Sequence, residues 1–464
     1  MKKIAIVPID NRPICYNLIS DICAQDENIK LYLPPREYLG GLITPANIEN
    51  IFLWLENLPD VDFIILSLDT LAYGGLVNSR RCEEKCEEIL LRVKRLEEII
   101  ARQSAKIYAF SSIMRISNNS INEEEKEYWN PWGKKIFEYS YNLHKSKRLY
   151  EANCVINTIP KEILEDYIAT RKRNFIVNNY YLELAKKGII DTLIFSKDDC
   201  AEFGLNVEEA EKLAKASEGY NNILIKTGAD EIPLTLLARA IMQGKKPSVQ
   251  LIFAQENSKN KISKYEDVPL FDCVKGQLSL AGVEIKDDAD LIFYINNFEY
   301  EQGDHVLGEE NKSNKKHELN FKKPYFIADV NNANGADNNF IENILNKELK
   351  DDFLGYSGYN TSANTIGSVI CMALVKYFAE KTNENAFKKL NSIRLLDDWA
   401  YQANIRKSVR QEGEVSGEFK ISPHEKEFEL FEDRIKKYFN YNYKKAQYSL
   451  PWSRSFEIEI NIDD

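Results

Sequence analysis

The chain reads as an α/β protein in which parallel sheets are flanked by helices. Three observations predict this. Ten short β-branched or aliphatic runs recur between residues 3 and 357, and helical periodicity fills most of the intervals between them. Run after run also ends in carboxylates, amides or arginine. Parallel strands share one carboxyl edge, where ligands bind, so polar groups far apart in sequence are expected to line one cleft.

Strands are predicted at 3–8, 29–33, 61–68, 105–111, 191–196, 222–227, 249–254, 290–295, 324–329 and 353–357. Helices are predicted at 83–103, 207–216, 232–242 and 338–346; the first carries Ile89, Leu90, Val93, Leu96, Ile99 and Ile100 at helical spacing. Residues 120–190 look mostly helical and are expected to cap the strand ends. Gly244-Lys245-Lys246-Pro247 marks a boundary, which gives a first α/β domain at 1–245 and a second at 246–385. A mainly helical C-terminal region follows at 386–464. The stretch 301–323 is dense in Lys, Glu and Asn and reads as an exposed excursion. Near the end, Phe456-Glu457-Ile458-Glu459-Ile460 alternates with period two, as a half-exposed edge strand does. Ten strands exceed the need of an eight-stranded barrel. Two Rossmann-like lobes around a cleft fit the count better, with an elaborated β/α barrel as the alternative.

At 464 residues the chain exceeds the size of a single growing core. A net charge of −11, with no basic cluster, argues against a nucleic-acid partner. The run 4–8 is too short for a signal peptide and is interrupted by Pro8, Asp10 and Arg12; no apolar run is long enough to span a membrane. A cytoplasmic location is expected, with the eight cysteines reduced. Cys82 and Cys86 read as two residues on one face of a helix, and Cys200 as a packed thiol beside Asp198-Asp199.

Histidine is scarce, and none of His144, His305, His317 and His424 falls in a strand-end cluster. That weakens a Ser-His-Asp triad and a histidine-rich zinc site. The nucleophile elbow, the P-loop, the zincin pattern and a dinucleotide fingerprint are absent. Carboxylate, amide, hydroxyl and arginine remain. Paired carboxylates suit acid/base or nucleophilic attack at an acetal carbon, or oxygen ligation of a hard cation.

Gly228-Ala229-Asp230-Glu231 is the first candidate, although acids before a helix also serve as caps. In Asp10-Asn11-Arg12-Pro13, Arg12 offers a planar fork to an anion; a plain helix start would use the same residues. Asp69 ends a buried strand and leads to Tyr73-Gly74-Gly75-Leu76 and Ser79-Arg80; Gly40-Gly41 echoes the turn. Asp329, Asn331, Asp337, Asn360 and Asn364 form a dense group of polar donors and acceptors able to orient hydroxyls. Trp129, Trp132, Tyr38 and Tyr73 are candidates for stacking on a sugar ring.

The strings Pro8-Ile9-Asp10-Asn11-Arg12-Pro13, Ser67-Leu68-Asp69 with Tyr73-Gly74-Gly75-Leu76 and Ser79-Arg80, Gly228-Ala229-Asp230-Glu231, Asn334-Gly335-Ala336-Asp337, and Tyr359-Asn360-Thr361 with Asn364-Thr365-Ile366-Gly367 occur in order along the chain. Together they resemble a bacterial domain-of-unknown-function family, numbered 4127, over nearly the whole length. Asn11 stands where that family leads one to expect an acid, and Tyr359 where it leads one to expect tryptophan. The resemblance carries no activity with it.

The leading expectation is a hydrolase acting on a carbohydrate or sugar-like small molecule, with Asp10, Asp69, Asp230 and Glu231 as catalytic carboxylates. Asn11, Arg12, Tyr73, Arg80, Asp329, Asn331, Asp337, Asn360 and Asn364 are the expected substrate contacts. No organic cofactor is expected. A second reading is metal-assisted hydrolysis or lyase chemistry, with a divalent cation on Asp10, Asp69, Asp198 and Asp199. A third is a non-catalytic sugar-binding protein with two closing lobes.

Overall fold

Along β1 (Lys2–Val7), Ile4 and Ile6 face one core while Ala5 and Val7 face another. Burial on both faces is why the strand is almost continuously apolar. The computed structural model describes residues 1–149, 158–198, 200–312 and 319–463; Asp199 and His317 lie outside the described residues. β1 belongs to a parallel sheet with β2 (Ile29–Tyr32), β3 (Phe63–Ser67), β4 (Lys106–Ile113), β5 (Thr192–Lys197) and β6 (Ile223–Thr227). Its order is β2-β1-β3-β4-β5-β6, with Ile6 opposite Ile65 and Leu66 opposite Ala109.

A second sheet begins after the 244–247 linker, at β7 (Ser248–Phe253). It adds β8 (Glu284–Ile285), β9 (Leu291–Asn297), β11 (Tyr325–Val330) and β13 (Phe353–Ser357) in the order β13-β11-β9-β7-β8. Between these strands, β10 (Gly303–Asp304) pairs with β12 (Asn332–Ala333) in parallel. Counted from its own first strand, the second sheet repeats the 2-1-3-4-5 order of the first. The direction in which successive strands are added therefore reverses between the parallel neighbours β1 and β3 and again between β7 and β9, and such switch points are where open α/β sheets bind ligands. Both sheets are open, and no closed barrel forms among the described residues.

The helix Ile232–Ile241 buries nine of its ten residues. One side meets β3 and β4; the other meets helices Leu270–Ala281 and Ser362–Tyr377, the latter lying on β11 and β13. A single core thus runs from Ile4 and Phe63 through Leu236 and Ile370 to Phe293 and Phe326. Helices Ile48–Glu56, Cys86–Ile100 and Lys161–Lys186 cover the far face of the first sheet. The far face of the second is covered by Asn338–Leu345, Glu384–Leu395 and Glu425–Phe439, with a π-wound segment, Leu396–Ile405, between the last two. The result is five alternating layers of helix and sheet.

Several details differ from the sequence expectation. Lys161–Lys186 packs beside β4 and β5 as their crossover, which parallel pairing requires. The loop ahead of Trp129–Leu149 reaches the strand ends, through Glu124 and Glu125. Cys86 begins its helix, so Cys82 lies outside it. Part of the expected excursion is internal. Asp304 is fully buried and accepts from the Val306 and Leu307 amides, the Asn334 side chain and the Tyr265 hydroxyl. The closing hairpin joins β14 (Ala446–Ser449) to β15 (Glu459–Ile462), because ion pairs divert Glu457 to the strand ends before pairing starts at Glu459.

Candidate functional site

The loop after β1 is built around one guanidinium. Asp10 Oδ1 accepts from the Arg12 main-chain N at 3.0 Å, and Arg12 Nε donates to both Asp10 oxygens at 3.0 and 2.9 Å. Arg12 Nη1 and Nη2 donate to the two oxygens of Asp230 at 3.1 and 2.7 Å. Although β6 is the far edge strand, its following helix returns over β3 and brings Asp230 back to Arg12. Glu457 adds a third carboxylate 3.5 Å from Nη1. Burial alone would lower the Arg12 pKa, but Asp10 and Asp230 hold it well above its usual value.

Residues 451–457 lie across this loop as a strap. Trp452 takes a left-handed backbone conformation (φ 58°), and its Nε1 donates to Asn11 Oδ1 at 2.7 Å. The indole lies 5.2 Å from the Arg12 guanidinium and 4.7 Å from that of Arg454. Arg454 grips Glu457 with two bonds, at 2.9 and 2.6 Å, and reaches Glu124 at 2.8 Å. Glu124 also meets Arg115 at 2.9 Å and Arg80 at 3.4 Å, and Glu125 meets the same two arginines. Arg115 then meets Asp198, after β5, at 3.4 Å. Burial would raise the Glu124 pKa; Arg115, Arg454 and Arg80 together pull it far below the ordinary range. This continuous chain of charges joins the ends of β1, β5 and β6 to the strap.

A loop from the second sheet completes the rim. Asp267, fourteen positions after β7 ends at Phe253, is ion-paired with Lys197 and accepts from the Thr227 hydroxyl at 2.6 Å. Its neighbour Glu266 accepts from the Ala363 amide at 2.9 Å, in the first turn of Ser362–Tyr377. Burial, reinforced by Asp267 and Asp198, pushes the Glu266 carboxyl up to about 7. Sequence reasoning missed Glu266, Asp267, Arg454, Glu457 and Trp452, because none directly follows a strand. The adjacent acids Glu266-Asp267 in an aperiodic loop were the available signal.

The other predicted residues divide into two groups. Asn360 lies near this rim with φ 55°, its carbonyl accepting from the Asn334 amide, and Asn364 is buried with its Oδ1 unpartnered. Arg80 is joined to the rim through Glu124 and Glu125. Asp69 sits lower, accepting from the Ser112 amide at 2.8 Å, and burial pushes it up to about 7. Tyr73 is buried beneath Arg173, and Trp129 packs in a separate cluster with Tyr167. Glu231 is 1 % exposed, lying between the sheets, where its carboxylate accepts from the Ala229 amide and the Gln277 side chain. Burial drives its pKa well above normal. It does not cap the helix it precedes.

Asp329, Asn331 and Asp337 form a closed network at the edge of the second sheet. Asp329 accepts from Asn296 at 2.9 Å, the Tyr356 hydroxyl at 2.9 Å and the Asp337 amide at 2.8 Å. Asp337 accepts from Asn331 at 2.8 Å and caps Asn338–Leu345. Burial, then the Asp337 charge, pushes Asp329 up to about 7. Among the described residues, no group of three or more His, Cys, Asp or Glu side chains is arranged to hold a metal ion. Nor is any helix among them long and apolar enough to cross a membrane.

A family model described as a protein of unknown function, DUF4127, matches residues 4–461. The chain belongs to the DUF4127 family. No curated protein and no solved structure matches it. In this DUF4127 chain, two strings remote in sequence meet through Arg12 and Asp230, and two more through the Asn334–Asn360 main-chain bond. Asn11, which stands in place of an expected acid, still supplies an oxygen to Trp452.

Proposed function

We propose that the protein is a cytoplasmic hydrolase acting on a polar, sugar-like small molecule at the joint rim of the two sheets. Glu266 is the proton donor in this reading, and Asp198 is the carboxylate that attacks carbon or activates water. The observation that carries it is the pairing of unlike environments. Glu266 is buried and half-protonated near neutrality, while Asp198, among its electrostatic neighbours, is ion-paired to Arg115. A carboxyl that burial inclines to hold its proton, near one ion-paired to an arginine, is the arrangement that acid-assisted cleavage needs.

Asp10 and Asp230 then have a positioning role, since Arg12 occupies their oxygens. Asn360, Thr361 and Lys197 offer the amide, hydroxyl and ammonium groups that would orient substrate hydroxyls, and Trp452 offers an aromatic face. The cytoplasmic placement accords with Cys15, Cys23 and Cys273, each a free thiol. The core shared by both sheets speaks against a binding protein whose lobes close on a sugar. To test the reading, turnover of chromogenic neutral and uronic glycosides is compared in wild type, Glu266→Gln and Asp198→Asn. Loss of about a hundredfold or more with an unchanged urea midpoint is expected. Wild-type rates in both variants would remove the assignment.

A further inference from the structure

Most guanidiniums buried in this chain meet a carboxylate: Arg12 with Asp230, Arg80 with Glu125, Arg171 with Glu209, Arg394 with Asp398, and Arg454 with Glu457. Arg173 is satisfied by the carbonyls of Ser79 and Cys82 and by the Asn174 side chain. Arg406 differs from all of these. Among the described residues it has no ion pair, although it is only 8 % exposed. Its Nη1 donates to Gln402 Oε1 at 2.9 Å, its buried Nε has no acceptor, and the Phe456 ring lies 4.9 Å away. Burial lowers its pKa, against the weaker pull of Tyr401 and Glu457. A charge withdrawn from water with no carboxylate in contact is unfavourable, so an anion there would relieve the site.

Arg406 also lines a cavity of about 380 Å³, within the size range of small-molecule pockets. One wall is a helix face bearing Gln402, Arg406, Lys407, Arg410 and Glu414; the opposite wall includes His305, Leu307 and Glu310, so three cationic side chains and two carboxylates line the cavity. Arg410 stands near the opening, where its Nε holds the exposed Glu414 at 2.9 Å. The helix is π-wound over Leu396–Ile405, immediately before Arg406, and π segments are frequent at functional sites. The Phe456 ring lies 4.9 Å from the Arg406 guanidinium and 5.0 Å from that of Arg454 in the strap.

We infer that this cavity binds the oxyanion group, carboxylate or phosphate, of a small molecule, with Arg406 as the buried counter-charge and Arg410 and Lys407 beside the entrance. The site is separate from the proposed catalytic rim and stands without it. Calorimetric titration of the whole protein with sodium phosphate, and separately with sodium malonate, tests it against sodium chloride at matched ionic strength. Saturable one-to-one binding of at least one anion is expected. Phosphate alone points to a phosphorylated ligand, and malonate alone to a carboxylate. Arg406→Gln and Arg410→Gln should each weaken binding about tenfold, the effect of one lost charge-assisted contact. The remote Lys212→Gln should leave it unchanged. Arg410 is half-exposed, so its variant decides the matter even where Arg406→Gln does not fold. Absence of binding above the chloride control, or full-strength binding in Arg410→Gln, overturns the proposal.

Discussion

Arg12 and Asp230, 218 positions apart in sequence, share two parallel hydrogen bonds at 3.1 and 2.7 Å. The pair ties the first βα loop to the start of the inter-sheet helix. Removing one partner leaves the other charged and buried. Arg12→Met is therefore expected to cost about 3–5 kcal/mol, and adding Asp230→Asn should recover part of that. Urea denaturation of the two single variants and the double variant measures the coupling; strict additivity would show that the pair carries no interaction.

The Asp329–Asp337 pair makes an unusual pH dependence. Burial, then the Asp337 charge, raises the folded Asp329 carboxyl from the ordinary 3.8 to about 7, so the native state holds its proton longer. Its contribution to stability is complete below pH 4 and is lost as pH rises towards 7, by about 1.4 kcal/mol per unit at most. The denaturation midpoint should fall over that interval, and Asp329→Asn should flatten the fall. Equal slopes in the two proteins would refute this.

Glu266 gives the proposed reaction a pH signature. Burial, then Asp267 and Asp198, set its carboxyl at about 7, so the proton donor disappears as pH rises through that value. Rate constants under kcat/KM conditions should drop on the alkaline side of neutrality. Glu266→Gln should lose that limb and run slowly throughout. An unshifted limb in the variant would assign it to another group.

Gly367 leaves the space Glu231 occupies: an added Cβ would stand 2.3 Å from Glu231 Cγ. Gly367→Ala should destabilise by about 1–3 kcal/mol through overpacking. Shortening the acid in Gly367→Ala with Glu231→Ala should return some of the loss. A thermal melt of Gly367→Ala that matches wild type would show that the helix can shift freely.

Strands buried on both faces, such as 4–7 and 63–66, were legible because no polar residue interrupts them. Their ends were legible for the same reason: Asp10 and Asp69 are abrupt where the apolar runs stop. Glu266, Arg454 and Glu457 were hidden because their roles arise from segments that return to the rim after long excursions, and local spacing says nothing about such returns. Glu124-Glu125 looks like a solvated acidic run, and only Arg80, Arg115 and Arg454 make it internal. Asp304 misleads in the same way, as part of a polar sequence that folds inward around its own hydrogen bonds.

The helix Ile232–Ile241 belongs to both sheets at once, wedged between β3 and the helix Ser362–Tyr377 that covers β11 and β13. Neither half can swing away from the other without baring that greasy seam to solvent. In the proposed reaction, entry to the rim is therefore expected to depend on small local rearrangements, such as lifting of the Trp452 strap, with the two halves held in a fixed mutual orientation.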